Sequence, residues 1–241
     1  MEKSNPKLIV ALDVETLAEA KSLVELLSPA VDIFKVGSQL FTACGPEAVR
    51  FIQEKGKEVF LDLKYHDIPN TVSNAVQAAV KSLAVGGKDK RSVLMYTMHI
   101  VGGEEMLKKS VDAARKSAQE NGLRVPLSLG ITVLTSEQSS EGTKQVVLAR
   151  ALLAKKAGLD GVVASVEEVP MLRKELGKDF IIVTPGIRLE ATDVGDQKRV
   201  ATPSLAVKSG SNFLVVGRPI VKAENPLKAA KEILKEIEAA V

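Results

Sequence analysis

Short apolar runs alternate with longer amphipathic stretches along the whole chain. Runs rich in Val, Ile and Leu occupy residues 8–12, 32–36, 58–63, 92–99, 127–134, 161–164, 180–183 and 212–216. Between and after them, apolar positions recur at helical spacing over residues 17–27, 46–55, 71–84, 104–120, 143–157, 167–176, 203–209 and 226–239. Local punctuation agrees with this division. Thr16 precedes the first amphipathic stretch with Glu19 three residues on, the pattern of a capping box. Gly56, Asn121-Gly122, Gly158 and Gly177 stand where four of the helices would stop.

The strand-like runs are continuously apolar, as parallel strands covered on both faces are. Eight such runs alternating strictly with eight helices predict an α/β fold with a parallel sheet and helical crossovers. At 241 residues the chain has the size of a (β/α)8 TIM barrel, typically ~250 residues. A doubly wound open sheet is the rival architecture, but no GxGxxG or P-loop pattern follows the first run. No linker or compositional break divides the chain, so residues 1–241 are expected to form a single barrel domain with its site at the C-terminal ends of the strands.

Composition narrows the function classes. Hydrophobic residues make up 45% and charged residues 26%, which excludes a disordered chain. A net charge of +3, dispersed along the sequence, gives no nucleic-acid footprint. Six Phe, two Tyr and no Trp leave little for base-stacking platforms. The single Cys44 rules out an internal disulfide and a cysteine-based metal centre, and fits a reducing compartment. No apolar run approaches the ~20 residues of a membrane span, and MEKSNPK leads into LIVAL without a signal-peptide core. A soluble, cytoplasmic protein with neither nucleic-acid nor membrane partners is expected.

In such barrels the chemistry sits where strands pass into the following loops. Asp13 ends the first strand-like run, Lys35 interrupts the second, and Asp62 and Lys64 close the third, two apart and so on one side of a strand. Asp67 follows on the loop. Singly, a strand-end Asp often caps the next helix and a strand Lys often reaches out to solvent. Together, two ammonium groups and three carboxylates at one mouth would be costly to dehydrate unless mutually paired. Such networks are typical of functional sites.

The last two strands lead into Thr184-Pro185-Gly186-Ile187-Arg188 and Gly217-Arg218-Pro219. The loops after strands seven and eight are the usual phosphate site of these barrels. A Gly-Arg pair alone is more often a surface turn. At this position its backbone N–H and guanidinium suit a phosphate. The polar stretch 189–199 could close over a ligand as a lid.

The segment FLDLKYHDIPNT, residues 60–71, closely resembles the signature of the orotidine 5'-phosphate decarboxylase family. LIVALDV, FKVGSQLF, TVLTS, TPGIR, GDQKR and VVGRPI continue the agreement in order across essentially the whole chain. D-x-K-x-x-D alone is shared with other barrels of the superfamily. Ile68-Pro69-Asn70-Thr71 and the C-terminal motifs are far more specific. The resemblance implies a homodimeric barrel that converts orotidine 5'-monophosphate (OMP) to uridine 5'-monophosphate (UMP) and CO2, the last step of de novo UMP synthesis, without metal or organic cofactor.

Carried over by motif, the resemblance assigns Asp13 and Lys35 to the ribose hydroxyls and the charge network. It places Asp62 and Lys64 at the scissile carboxylate, with Lys64 as proton donor. Asp67, Ile68 and Thr71 would reach into the neighbouring subunit's site. Thr135 would line the pyrimidine pocket, Arg188, Gln197, Gly217 and Arg218 would hold the phosphate, with Gln197 also able to reach the base, and Pro185 would contact the substrate. Two features depart from the pattern: Ile100 follows His99 where many relatives have a small residue, and residues 86–91 look like an insertion.

The implied chemistry suits these residues. Loss of CO2 from C6 leaves a carbanion that the ring cannot delocalise, so the protein must stabilise the charge and supply a proton. An ammonium does both, and flanking carboxylates favour the charged form of a lysine. That argues against a Schiff-base role, which needs a neutral amine. His66 reads as a packing or capping residue, and His99 as either a structural hydrogen-bonder or part of the pocket floor. Two rivals remain at this level: a magnesium-dependent hexulose-phosphate synthase or keto-sugar-phosphate decarboxylase sharing D-x-K-x-x-D, and a non-catalytic sensor of phosphorylated metabolites. The DIPNT and GDQKR segments speak against the first, the intact Asp–Lys–Asp set against the second.

Overall fold

In the computed structural model, which describes residues 6–84, 92–134, 142–189 and 201–241, eight parallel strands close into a barrel in chain order. They are β1 (Lys7–Ala11), β2 (Ile33–Gly37), β3 (Glu58–Tyr65), β4 (Met95–His99), β5 (Leu127–Ile131), β6 (Gly161–Val163), β7 (Ile181–Thr184) and β8 (Phe213–Val216). β8 returns to pair with β1, so no sheet edge is left open. Each strand falls within or over one of the apolar runs. β4 and β5 are shorter than their runs, because Val93 is buried ahead of the β4 ladder and Val133 packs, partly buried, beyond that of β5.

The helices are α1 (Leu17–Leu27), α2 (Ser38–Cys44), α3 (Pro46–Glu54), α4 (Pro69–Ser82), α5 (Gly103–Asn121), α6 (Thr143–Lys156), α7 (Val169–Leu176), α8 (Pro203–Ser209), α9 (Arg218–Val221) and α10 (Pro226–Ala239). The capping box of α1 is present: Thr16 Oγ1 accepts from the Glu19 N–H at 3.2 Å, and the Glu19 carboxylate accepts from the Thr16 N–H at 3.1 Å. Two helices were not expected. α9 is a single turn, and neither α2 nor α9 has a side-chain N-cap to announce it. The 86–91 segment lies outside the described residues.

Strand alternation sorts side chains into two cores. Leu8, Val10, Phe34, Val36, Val59, Leu61, Leu214 and Val216 face outward under the helices. Ile9, Ala11, Ile33, Phe60, Met95, Leu129, Val183 and Val215 fill the barrel. Because the side-chain period is two, the inward series of β1, β2, β3 and β8 continue upward to Asp13, Lys35, Asp62 and Gly217. The same parity that packs the barrel thus delivers the polar residues to its C-terminal mouth.

Candidate active site

A cavity of about 490 Å³ opens at that mouth. Asp13, Lys35, Asp62 and Lys64 stand on its β1–β3 side, while Pro185, Arg188, Gly217 and Arg218 line the β7–β8 side. Phe60, Ile131, Val133, Leu134, Val163 and Val215 supply an apolar floor and wall. The size suits a single small ligand with a flat apolar part and charged ends.

The four charges on the β1–β3 side form one chain of contacts. Lys64 Nζ lies 2.8 Å from Asp62 Oδ2, Lys35 Nζ lies 3.6 Å from the same oxygen, and Lys35 Nζ donates to Asp13 Oδ1 at 3.0 Å. Register explains the contacts: Ala11 pairs with Lys35 and Gly37 with Asp62, so the three strands present these residues at adjoining levels. Gly37 leaves the space that Lys35 needs, since a Cβ there would stand 2.9 Å from its Nζ.

Asp62 is almost fully buried, and burial pushes its carboxyl upward. Lys35 and Lys64 beside it, with hydrogen bonds from Lys64 and Thr97, outweigh that push and hold it below the usual carboxylate value. A buried carboxylate therefore stays ionised between two ammonium groups. Burial, then the charges of His66, Lys64 and Arg150, lower His99, against a weaker opposing pull from Asp62. The His66 and His99 rings stand 5.7 Å apart between centroids, next to this network and outside the cavity wall.

The approach of Lys64 to Asp62 does not follow from regular strand geometry. β3 runs on to Tyr65, but its register against β4 shifts between Leu61 and Tyr65. Lys64 sits in the left-handed region at φ +52°, where it is unique among described non-glycine residues. That conformation costs about 1–2 kcal/mol for a residue with a Cβ. Thr97 on β4 helps hold it: the Lys64 N–H donates to Thr97 Oγ1, and the Thr97 hydroxyl donates to Asp62 Oδ1, each at 2.9 Å.

At the other side, Arg188 is buried, and its Nε has no hydrogen-bond partner among the described residues. A desolvated guanidinium N–H facing a cavity is satisfied by an anion. Asp67, Ile68 and Thr71 do not line this chain's own cavity. Asp67 accepts from the Ile68 N–H at 2.6 Å, and the Ile68 side chain is 67% exposed. Thr135 and Gln197 lie outside the described residues. Sequence reasoning missed Thr97, Gln39 and Lys222. Thr97 is a lone polar residue within an apolar run, whereas Gln39 and Lys222 belong to the short helical segments that carry no periodic signal.

Fold and cavity together define a (β/α)8 barrel of the enzymatic kind, with its charges gathered at the C-terminal mouth. The chain matches the model of the Orotidine 5'-phosphate decarboxylase / HUMPS family over residues 6–233 and belongs to that family. It is 47% identical to orotidine 5'-phosphate decarboxylase of Geotalea daltonii, covering 99% of this chain and 98% of the relative. It is 46% identical to that of Moorella thermoacetica, covering 96% and 92%. Among solved structures, orotidine 5'-phosphate decarboxylase from Lactobacillus acidophilus superposes with a TM-score of 0.81 at 35% identity, covering 97% of this chain and 99% of the other. Orotidine 5'-monophosphate decarboxylase from Methanocaldococcus jannaschii, complexed with the inhibitor BMP, gives 0.73 at 26% identity, covering 97% and 99%.

Proposed function

We propose that this protein decarboxylates OMP to UMP and CO2 by direct protonation at C6. The observation that carries the mechanism is the Asp13–Lys35–Asp62–Lys64 chain of contacts on one side of a cavity whose opposite side bears arginines. With the phosphate against Arg188, Arg218 and the loops at Pro185 and Gly217, the pyrimidine extends across the apolar wall toward Lys64. The substrate carboxylate then meets Asp62, which already holds a negative charge. As the C6–carboxylate bond breaks, its electron pair stays on C6 and CO2 departs. The Lys64 ammonium stabilises that charge and donates its proton to C6, giving UMP and a neutral amine that solvent reprotonates. Asp13 and Lys35 hold the ribose hydroxyls, and the Lys35 ammonium helps keep Asp62 ionised.

The remaining assignments follow the family resemblance. Thr135 lines the pyrimidine pocket and Gln197, on the segment after β7, closes on the phosphate and base. Asp67, Ile68 and Thr71 complete the site of a second copy in a homodimer. Their exposure, and their position off this chain's own cavity, support that reading. No helix among the described residues is long and apolar enough to cross a membrane, and the proposed workplace is the cytoplasm. Both Asp62 oxygens are already engaged, by Lys64 and by Thr97. A magnesium-bound enediolate route would set the ion beside the Lys35 and Lys64 ammonium groups, which repel it.

The test follows loss of OMP ultraviolet absorbance in excess EDTA, with Lys64→Ala alongside. Turnover that survives EDTA and is lost in the variant is expected. An inert wild type, or a variant of equal rate, overturns the proposal. Activity on keto-sugar phosphates only with added magnesium would replace it by the related barrel chemistry, and saturable UMP binding without turnover by a sensor.

A further inference from the structure

The charges around the cavity are distributed unequally. On the β1–β3 side, Lys35 and Lys64 are matched by Asp13 and Asp62. On the β8 side the described lining carries Arg188, Arg218 and Lys222 and no carboxylate near them beyond Asp13. The described residues of the lining hold five cations and two carboxylates. That excess of three matches OMP, whose carboxylate and phosphate together carry about three negative charges at neutral pH.

Two of the three excess cations belong to motifs already assigned to the phosphate. Lys222 belongs to none. It follows α9, with its N–H donating to the Arg218 carbonyl at 3.0 Å, so the four-residue spacing sets it on the same side of that turn as Arg218. Its ammonium forms no ion pair or hydrogen bond with any described residue. It exerts a minor electrostatic influence on Glu19, whose carboxylate is already occupied by the N–H groups of Glu15 and Thr16. An exposed, uncommitted lysine at the rim of a cation-rich pocket end has one use that the geometry favours.

We propose that Lys222 is a third cationic ligand of the substrate phosphate, acting with Arg188 and Arg218. The inference rests on the reading of this site as one for OMP and UMP. The arginines hold the phosphate from the buried side, while Lys222 approaches from the solvent side as a mobile point charge. It contributes to capture as well as retention, so its effect is screened by salt.

The test compares wild type, Lys222→Met, Lys222→Arg and Glu19→Gln. UMP dissociation constants are measured by calorimetry at 50 and 200 mM salt, and kcat/KM for OMP and for the phosphate-free nucleoside orotidine. Lys222→Met is expected to weaken UMP binding about tenfold at low salt and less at high salt, with an equal loss in kcat/KM for OMP and none for orotidine. Lys222→Arg recovers most of the loss. Unchanged UMP affinity in Lys222→Met, with a wild type that turns over OMP, overturns the inference and leaves the assigned function standing. Equal losses on OMP and orotidine, reproduced by Glu19→Gln, overturn it in favour of a structural role at the α1 cap. A wild type that neither binds UMP nor consumes OMP overturns the functional reading together with it.

Discussion

The Thr97 hydroxyl donates to Asp62 Oδ1 at 2.9 Å while accepting from the Lys64 N–H at the same distance. One fully buried side chain thereby orients the carboxylate and fixes the left-handed backbone that brings the lysine to it. Thr97→Val keeps the shape and removes both bonds. We expect kcat to fall about 10–100-fold with a smaller change in KM, as a lysine displaced by about an ångström would give. Thr97→Ser should recover most of the rate. A valine variant with wild-type kcat would remove Thr97 from the positioning of Lys64.

Gly37 has no left-handed backbone to accommodate, so an added methyl acts through space alone. At 2.9 Å from Lys35 Nζ it displaces the end of a flexible side chain, which costs little stability but breaks the approach to Asp13 and Asp62. Gly37→Ala should keep its unfolding free energy to within about 1 kcal/mol and lose about tenfold in kcat/KM. Loss of stability without loss of rate would show that the contact is only packing.

Asp62 ties stability to pH with a definite sign. Its carboxyl is held below the usual value in the folded chain, so its contribution is present above the unfolded value of about 4 and is lost as pH falls through the folded one. Asp62→Asn should be less stable by about 3 kcal/mol at neutral pH, because it leaves Lys35 and Lys64 without their shared partner. The gap should stay level from pH 8 to about 5 and narrow below about 4. Denaturant titrations across that range measure it, and a gap independent of pH would contradict the assignment.

Arg218 lies across the cavity from Lys64, yet its loss should reach the chemistry. Binding energy from a non-reacting phosphate can be used in the transition state as well as in the ground state. Arg218→Ala is expected to lower kcat/KM for OMP about 100-fold, with part of the loss in kcat. An unchanged kcat/KM would remove the β8 loop from the substrate site.

Much of this was legible in the linear chain. The apolar runs placed all eight strands, and the α1, α8 and α10 boundaries agree with the amphipathic stretches to the residue. The inward parity that sets Lys35 and Asp62 above Phe60 and Ile33 is likewise a property of alternation alone. The short α2 and α9, and with them Gln39 and Lys222, were not legible: α9 is a single turn, and α2, though as long as α8, lacks the side-chain N-cap that Thr202 gives α8.

What the sequence alone determined is the barrel, the side of each strand that faces its interior, and the residue types at its mouth. These depend on local periodicity and on the size of the chain. Only the tertiary structure decided which of those charges touch. The two-residue spacing of Asp62 and Lys64 suggested one strand face, but their 2.8 Å contact is made through a register shift and a left-handed lysine held by Thr97 from the next strand. Likewise D-x-K-x-x-D reads as one unit, whereas the fold leaves Asp67 out of the lining of the cavity that Asp62 and Lys64 share. Backbone alternation is set residue by residue along a strand, while the meeting of side chains depends on the register of neighbouring strands, which no single segment encodes.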